Sequence, residues 1–229
     1  MSASSLTKAS MPRLYAIIDQ VTLSFHKFAF LEFAEELRDA GVSLLQYRDK
    51  SGAPQEVLRA AARITAVFDG SGAALILNDR ADLAALVGWG VHVGQDDLSP
   101  ADARAVLRRD SRFPSGMTTR KTAAAAIGVS THCDEQVIAA DASDADYIAV
   151  GPIFATSTKQ NASPVVGLEG VRRARALTRK PIVAIGGITR ENARSVIDAG
   201  ADSVAIIGGL FSPRESLEKV ARDFLEILR

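Results

Sequence analysis

The residues best suited to chemistry follow short apolar runs of the chain. One run ends in Gln46-Tyr47-Arg48-Asp49-Lys50. In an extended segment alternate side chains share a face, so Gln46, Arg48 and Lys50 are expected to point the same way. Two cations beside an amide suit an anionic ligand that carries a polar ring. A solvated strand end with an Arg–Asp pair is the alternative interpretation.

Acidic side chains follow two further apolar runs. Asn78 and Asp79 follow one run, and Asp96 and Asp97 follow the next. Oxygen ligands suit a hard divalent cation that also bridges to substrate phosphates, which is typical of Mg²⁺. Capping of helix starts by the same residues is the alternative. If the two strand ends converge, Asp79 with Asp97 or Asp96 is a candidate metal pair.

Hydroxyl groups and a lysine form a third set. Ser130 ends an apolar run, where its hydroxyl can donate to a phosphate oxygen. Thr156, Ser157, Thr158 and Lys159 place three hydroxyls and an ammonium within four residues. Such donors suit phosphate oxygens, although a flexible polar loop would have the same composition.

Two residues after Ser130 stands a histidine. His132 could act as an acid or a base, but it could equally cap a helix start or face solvent. Cys133 beside it has no visible base and is interpreted as structural.

Two pairs of glycines complete the candidate site. Gly186-Gly187 and Gly208-Gly209 each follow a buried apolar run. Without a Cβ atom, backbone N–H groups there can approach a phosphate closely. Tight turns are the alternative, but the loops after the last two strands form the usual phosphate site of (β/α)8 barrels.

Alternating strands and helices must position these motifs. Between the strands lie helical patterns with apolar residues three and four apart. Eight strand–helix units in about 215 residues predict a single-domain α/β protein, a (β/α)8 TIM barrel. A doubly wound open sheet is the structural alternative. The predicted strands begin near Leu14, Ser43, Ala74, Val91, Ala126, Tyr147, Ile182 and Ser203.

Element boundaries have their own signals. Ser99-Pro100 predicts a helix start, and Ser212-Pro213-Arg214-Glu215 predicts a capping box. Residues 1–11 are expected to be a disordered leader, which leaves residues 12–229 for the barrel. Residues 110–122, rich in Arg, Ser and Thr, predict a long surface loop.

Composition narrows the class of function. The 229 residues carry 27 basic and 27 acidic side chains, so no basic excess points to nucleic acid or an anionic membrane. Cys133 is the sole cysteine, which precludes an internal disulfide. No apolar run approaches the roughly 18–20 residues that span a bilayer. We expect a cytoplasmic enzyme with small-molecule phosphorylated substrates, and homo-oligomerisation is left open.

Taken together, the motifs resemble the thiamin phosphate synthase family. The ordered set runs from Gln46 to Gly209, and its specificity comes from that order rather than from any one motif. The resemblance implies an enzyme that joins hydroxymethylpyrimidine diphosphate to thiazole phosphate and releases pyrophosphate. It also implies a dissociative mechanism with Mg²⁺ as cofactor, in which no dedicated general base is required.

The resemblance further implies a role for individual residues. One departure concerns Gly208, where many relatives carry a serine, so a hydroxyl donor is lost while a backbone N–H remains. The implied roles are Gln46, Tyr47, Arg48, Asp49, Lys50 and Asn78 for the pyrimidine diphosphate, Asp79 and Asp97 for Mg²⁺, Ser130 and Lys159 for the diphosphate and its departure, Thr156, Ser157 and Thr158 beside the thiazole partner, and Gly187, Ile207 and Gly208 for its phosphate.

Two other functions compete with this one. A thiazole tautomerase on a similar barrel would need a proton-transferring residue, for which His132 is the candidate. A non-catalytic barrel that binds a phosphometabolite would keep the two glycine pairs but would have no use for a metal pair. Neither needs both the acidic pair and the run from Gln46 to Lys50, and the presence of both favours the synthase.

Overall fold

The structure, a computed structural model, describes residues 6–109, 125–156 and 164–229. Eight parallel strands close into a barrel in chain order, and β8 pairs with β1 through the register Leu14↔Val204. This closure confirms the (β/α)8 barrel and excludes the open sheet. The strands are β1 Leu14–Asp19, β2 Leu44–Arg48, β3 Ala74–Asn78, β4 Gly90–Val93, β5 Ile127–Thr131, β6 Tyr147–Val150, β7 Ile182–Ile185 and β8 Ser203–Ile206.

The strand starts confirm the sequence prediction to within one residue. Five starts coincide, and β2, β4 and β5 begin one residue away from the predicted positions. The agreement has a physical cause, because strands packed on both faces need nearly continuous apolar runs. In β8, for example, all four residues of Ser203–Ile206 are buried.

Helices cover the outside of the barrel, and their buried residues follow the predicted spacing of three and four. In α2 the buried residues are Phe33, Ala34 and Leu37. None of the helices in the described ranges is long and apolar enough to cross a membrane. The helices are α1 Gln20–His26, α2 Phe30–Asp39, α3 Pro54–Val67, α4 Ala81–Val87, α5 Pro100–Arg109, α6 Asp134–Asp141, α7 Gly167–Leu177, α8 Ala193–Asp198 and α9 Leu217–Ile227.

Two predicted helix starts have different outcomes. Helix α5 begins at Pro100 as expected, and the Ser99 hydroxyl accepts the backbone N–H of Asp102 at 3.2 Å. The capping box at Ser212 is wrong, because α9 begins at Leu217 and Ser216 is its N-cap. Glu215 instead accepts a hydrogen bond from Arg190 at 2.5 Å. A tertiary ion pair therefore uses the carboxylate that the capping box required.

Residues 6–11 pack against the barrel, although they were predicted to belong to a disordered leader. Leu6 and Met11 are buried, and they pack in the cluster that fills the inside of the barrel. Lys8 lies 4.0 Å from Asp202, which directly precedes β8. Residues 6–11 therefore close the N-terminal end of the barrel, which corrects the predicted boundary. Residues 1–5 and the predicted loop at 110–122 lie outside the described residues.

The apolar core has two parts. A large cluster joins the outer faces of the strands to the helices, and a smaller cluster fills the barrel. The smaller one includes Tyr15, Ile17, Leu44 and Tyr147, two of which carry a hydroxyl. Since the inside of the barrel is filled, ligands must bind at its mouth, where the strands end in their carboxyl-terminal loops.

Candidate active site

The end of β2 contributes an amide and a guanidinium to the mouth. Gln46 is buried and donates from Nε2 to the Tyr15 hydroxyl at 2.7 Å. Arg48, two residues on, forms an ion pair with Asp19 at the end of β1. Asp19 also accepts the backbone N–H of Thr22 at 3.0 Å, which caps α1. The predicted shared face of Gln46 and Arg48 is therefore present, and Asp19 holds the guanidinium in place.

Two neighbours of these residues are placed elsewhere. The Tyr47 side chain packs on the helix side of the barrel, with its ring centroid 5.7 Å from that of Phe30. It does not join Gln46 at the mouth, because alternate residues of a strand face opposite sides. The Asp49 carboxylate accepts the backbone N–H of Gly52 at 2.8 Å, and so it shapes the loop after β2.

The two predicted metal ligands converge. Asp79 follows β3 and Asp97 follows β4, and the Asp79 backbone N–H donates to the His92 carbonyl at 2.8 Å. Burial raises the pKa of Asp79, and its contact with the Asp97 carboxylate raises that pKa further. Lys50 acts in the opposite direction, since its Nζ lies 3.1 Å from Asp79 Oδ2. Two acidic groups this close together favour a bound cation.

The loop that carries Asp97 is preorganised by its own hydrogen bonds. Asp97 Oδ2 accepts the backbone N–H of Gly94 at 2.8 Å. Asn78, the last residue of β3, pairs in register with His92 and is half-buried. Within the described ranges no group of three or more His, Cys, Asp or Glu side chains forms a metal site. A cation held by two carboxylates would take its other ligands from water and substrate phosphates, as Mg²⁺ usually does.

A buried chain of hydrogen bonds connects the mouth to the inside of the barrel. It runs from Gln46 to the Tyr15 hydroxyl, on to the Tyr147 hydroxyl at 2.9 Å, and then to His92 Nδ1 at 3.1 Å. His92 Nε2 lies 2.9 Å from the Ser130 hydroxyl, which returns the chain to the mouth. Burial lowers the pKa of His92 to about 4, so the ring is neutral at pH 7.

Sequence reasoning missed the middle of this chain. Tyr15, Tyr147 and His92 occupy buried strands and lie far apart in sequence, so their spacing gives no motif. The available signal was chemical, since each is a polar group in a strand otherwise built of apolar residues. A buried polar group needs a partner, which makes such residues candidates for a network.

His132 has a structural contact. Its Nδ1 lies 2.5 Å from the Gly151 carbonyl, which can only accept, so Nδ1 carries a proton. Its backbone N–H donates to Gln136 Oε1 at 2.7 Å. His132 therefore joins the ends of β5 and β6, and Cys133 beside it is exposed.

The loops after β6 and β7 pack against each other through a glycine. Gly187 has φ +66°, and a Cβ atom there would lie 2.5 Å from the Ala155 carbonyl oxygen and 2.7 Å from Phe154 Cβ. Thr156 follows in the same loop and is half-buried. Ser157, Thr158 and Lys159 lie outside the described residues, and their predicted contacts remain predictions.

The loop after β8 completes the mouth. Ile207 leads into a short 3-10 turn, Gly208–Leu210, whose first glycine is exposed. A Cβ atom on Gly209 would lie 2.8 Å from the Ile188 carbonyl oxygen, so this loop touches the one after β7. The predicted phosphate loops are therefore adjacent, and the backbone N–H groups of their glycines are donors that they can offer.

Comparisons with known proteins identify the family of the chain. The family model described as thiamine monophosphate synthase matches residues 14–210. A thiamine-phosphate synthase of Koribacter versatilis is 49% identical, with 95% of this chain and 96% of that protein covered. A protein of the same name from Methanoregula boonei is 40% identical over 81% of this chain and 80% of its own.

A solved structure supports the same assignment. The thiamine phosphate pyrophosphorylase from Pyrococcus furiosus superimposes with a TM-score of 0.78 at 26% identity, covering 94% of this chain and 95% of that one. The region that the family model matches, residues 14–210, contains all eight strands of the barrel from β1 to β8. On the match of model, sequence and fold, this chain belongs to the thiamine monophosphate synthase family.

Proposed function

We propose that this chain joins hydroxymethylpyrimidine diphosphate to thiazole phosphate, forming thiamin phosphate and pyrophosphate in a Mg²⁺-dependent reaction. The observation that carries the proposal is the meeting of Asp79, Asp97 and Lys50 at one side of the mouth, since a synthase needs cation and diphosphate sites there. Ser130 lies on the next strand, β5, where its hydroxyl can donate to the same diphosphate.

The residues suit a dissociative reaction. The C–O bond to pyrophosphate breaks first, and the electrons leave with the diphosphate while a cation forms on the pyrimidine methylene. The thiazole nitrogen then attacks that carbon and has no proton to lose. Ser130 and Lys50, with Arg48 held by Asp19, would stabilise the charge that grows on the departing group. No residue has to act as a general base.

The metal site fits this scheme. Asp79 and Asp97 would hold Mg²⁺, and burial beside a second carboxylate raises the pKa of Asp79. When bound, Mg²⁺ would supply positive charge to the leaving diphosphate. Lys159 has the predicted role of a second cation there.

The phosphate of the thiazole partner would bind on the opposite side of the mouth. Gly187, Ile207 and Gly208 line the adjacent loops after β7 and β8, where close backbone approach is possible. Thr156, Ser157 and Thr158 are proposed to lie beside the thiazole ring. This arrangement would set the two substrates on facing sides of the barrel axis.

A tautomerase is the less well supported alternative. It would need an acid or base but no pair of carboxylates for a cation, whereas Asp79 and Asp97 meet at the mouth. The test incubates the purified protein with both phosphorylated heterocycles and Mg²⁺, and looks for thiamin phosphate by mass. We expect product with Mg²⁺ and none after chelation. Product formation that is insensitive to chelation would contradict the metal proposal, and no product at all would contradict the function.

A further inference from the structure

We propose that Tyr147 and His92 are positioning residues whose hydrogen bonds set the direction in which Ser130 and Gln46 present their polar atoms to the substrate. The proposal rests on the proposed function for the identity of that substrate. Its physical basis is the buried chain that joins Gln46, Tyr15, Tyr147, His92 and Ser130.

From Gln46 to His92 this chain of hydrogen bonds is buried away from solvent, so water cannot replace the partners of its members. Tyr15 and Tyr147 are 1% and 0% exposed, and Gln46 is 3% exposed. The two tyrosine rings meet edge to face at 6.0 Å between centroids, and the His92 ring stacks on Tyr147 at 5.6 Å. Burial raises the pKa of both phenols, so each keeps its single proton. One proton on each hydroxyl allows only one donation apiece.

This proton count leaves two consistent patterns. In the outward pattern Gln46 Nε2 donates to Tyr15, Tyr15 donates to Tyr147, Tyr147 donates to His92 Nδ1, and His92 Nε2–H donates to Ser130. The Ser130 proton is then free to point into the mouth. In the inward pattern every bond reverses, the Gln46 amide flips, and Ser130 donates to His92 instead.

A bound anion selects between the two patterns. An oxygen of a diphosphate accepts hydrogen bonds, so it favours the state in which the Ser130 proton faces the mouth. In that same state Gln46 uses an N–H inside the barrel and leaves its carbonyl oxygen available as an acceptor. An amino group on the substrate ring can donate to that oxygen. Occupancy of the diphosphate site therefore prepares the amide to recognise an aminopyrimidine.

The position of the His92 proton reports which pattern is present. Nitrogen NMR on protein labelled at histidine distinguishes Nε2–H from Nδ1–H, and the chain has three histidines to assign. With inorganic pyrophosphate and Mg²⁺ bound, we expect the proton on Nε2. A proton on Nδ1 in that complex would overturn the proposal. This readout does not depend on turnover, so a protein that makes thiamin phosphate can still contradict the inference, and the reverse also holds.

A variant tests the coupling. Tyr147→Phe keeps the ring contacts and removes the donor to His92 Nδ1. We expect His92 to populate both tautomers and the dissociation constant for pyrophosphate to rise about tenfold. In a Ser130→Ala background the same substitution is expected to add no further weakening, because Ser130 is the group through which it acts. Full additivity of the two losses would contradict the proposal.

A control separates this effect from a general loss of packing. Thr131→Val removes a buried hydroxyl on β5, the strand that also carries Ser130. That hydroxyl donates to the Ala149 carbonyl at 3.0 Å. We expect it to leave the His92 tautomer and the pyrophosphate affinity unchanged. If Tyr147→Phe does not fold, the tautomer of the unsubstituted protein with pyrophosphate still decides between the two patterns.

Discussion

Lys50 Nζ lies 3.1 Å from Asp79 Oδ2, so a cation from the loop after β2 faces a carboxylate at the end of β3. Burial and Asp97 raise the pKa of Asp79, and Lys50 lowers it. The folded protein therefore holds a proton on Asp79 more tightly than the unfolded chain does. At neutral pH the ionised Asp79 therefore lowers the stability of the fold, at the place where a divalent cation is proposed to bind.

The first prediction concerns Asp79→Asn. A raised pKa means that stability from this group is greatest below the ordinary value of 3.8 and is lost as the pH rises through the raised pKa. Asparagine tolerates the backbone φ of 61° and carries no charge. With a chelator present at neutral pH, we expect the variant to melt at a higher temperature than the unsubstituted protein, with no gain below pH 3.8. We also expect the variant to lack synthase activity when Mg²⁺ is supplied.

Asp82→Asn is the matched control with the opposite sign. Its Arg80 partner lowers the pKa of Asp82, so its stabilising contribution is present at neutral pH and is lost in acid. Because the pair is exposed, the loss should stay below about 1 kcal/mol. Thermal melts across a pH series check both variants. A lower melting temperature for Asp79→Asn at neutral pH would contradict the argument.

A second prediction concerns the phosphate loops. Gly187→Ala adds a Cβ atom 2.5 Å from the Ala155 carbonyl oxygen at a backbone φ of +66°. We expect a loss of about 1–3 kcal/mol in the free energy of unfolding and a higher KM for thiazole phosphate. Gly41→Ala shares the positive φ but meets no atom within 4 Å, so it should lose stability without a change in KM. Equal KM effects in the two variants would count against a phosphate site at Gly187.

The third prediction concerns the residue that holds Arg48. Asp19→Asn removes the charge that pairs with Arg48 and weakens an acceptor that caps α1. We expect about a tenfold rise in KM for the pyrimidine diphosphate, because the guanidinium is no longer held at the mouth. Thr22→Val is the control, since it removes only the 2.7 Å hydroxyl contact to Asp19. Steady-state kinetics with each substrate varied would refute the role of Asp19 if KM stayed unchanged.

The fourth prediction separates a structural histidine from an acid or base. His132→Ala removes the contact between Nδ1 and the Gly151 carbonyl. We expect a loss of about 1 kcal/mol in stability and a modest fall in kcat, with the shape of its pH profile unchanged. Complete loss of activity in a folded variant would move the assignment toward proton-transfer chemistry, and hence toward the tautomerase.

How far the sequence reached depended on whether the signal was local. Buried strands such as Ile182–Ile185 are apolar runs in the sequence, so the starts of all eight strands were predicted to within one residue. Asp79 and Asp97 lie together as expected, because adjacent strand ends of a barrel must meet, and their role as metal ligands stays a prediction. These inferences needed only pattern and topology.

The failures have a common cause in contacts between distant residues. Glu215 looked like part of a capping box because Arg190, its partner, is 25 residues away. Tyr15 and Tyr147 are separated by 132 residues, so no window could reveal their contact. Tyr47 is different, because strand alternation turns its ring toward α2, and that effect is local and already follows from the face predicted for Gln46 and Arg48. Residues 6–11 looked like a polar leader, yet Leu6 and Met11 fill the end of the barrel.

Barrel closure has a consequence for how the chain is made. The Arg13 carbonyl accepts the backbone N–H of Val204 at 2.9 Å, and β1 completes its hydrogen bonding only with β8. As the nascent chain leaves the ribosome, the outer edge of β1 stays unpaired until almost the whole polypeptide has been translated. An open edge of this kind can pair with another chain, so co-translational handling of the first strand matters more here than in a fold whose early strands pair at once.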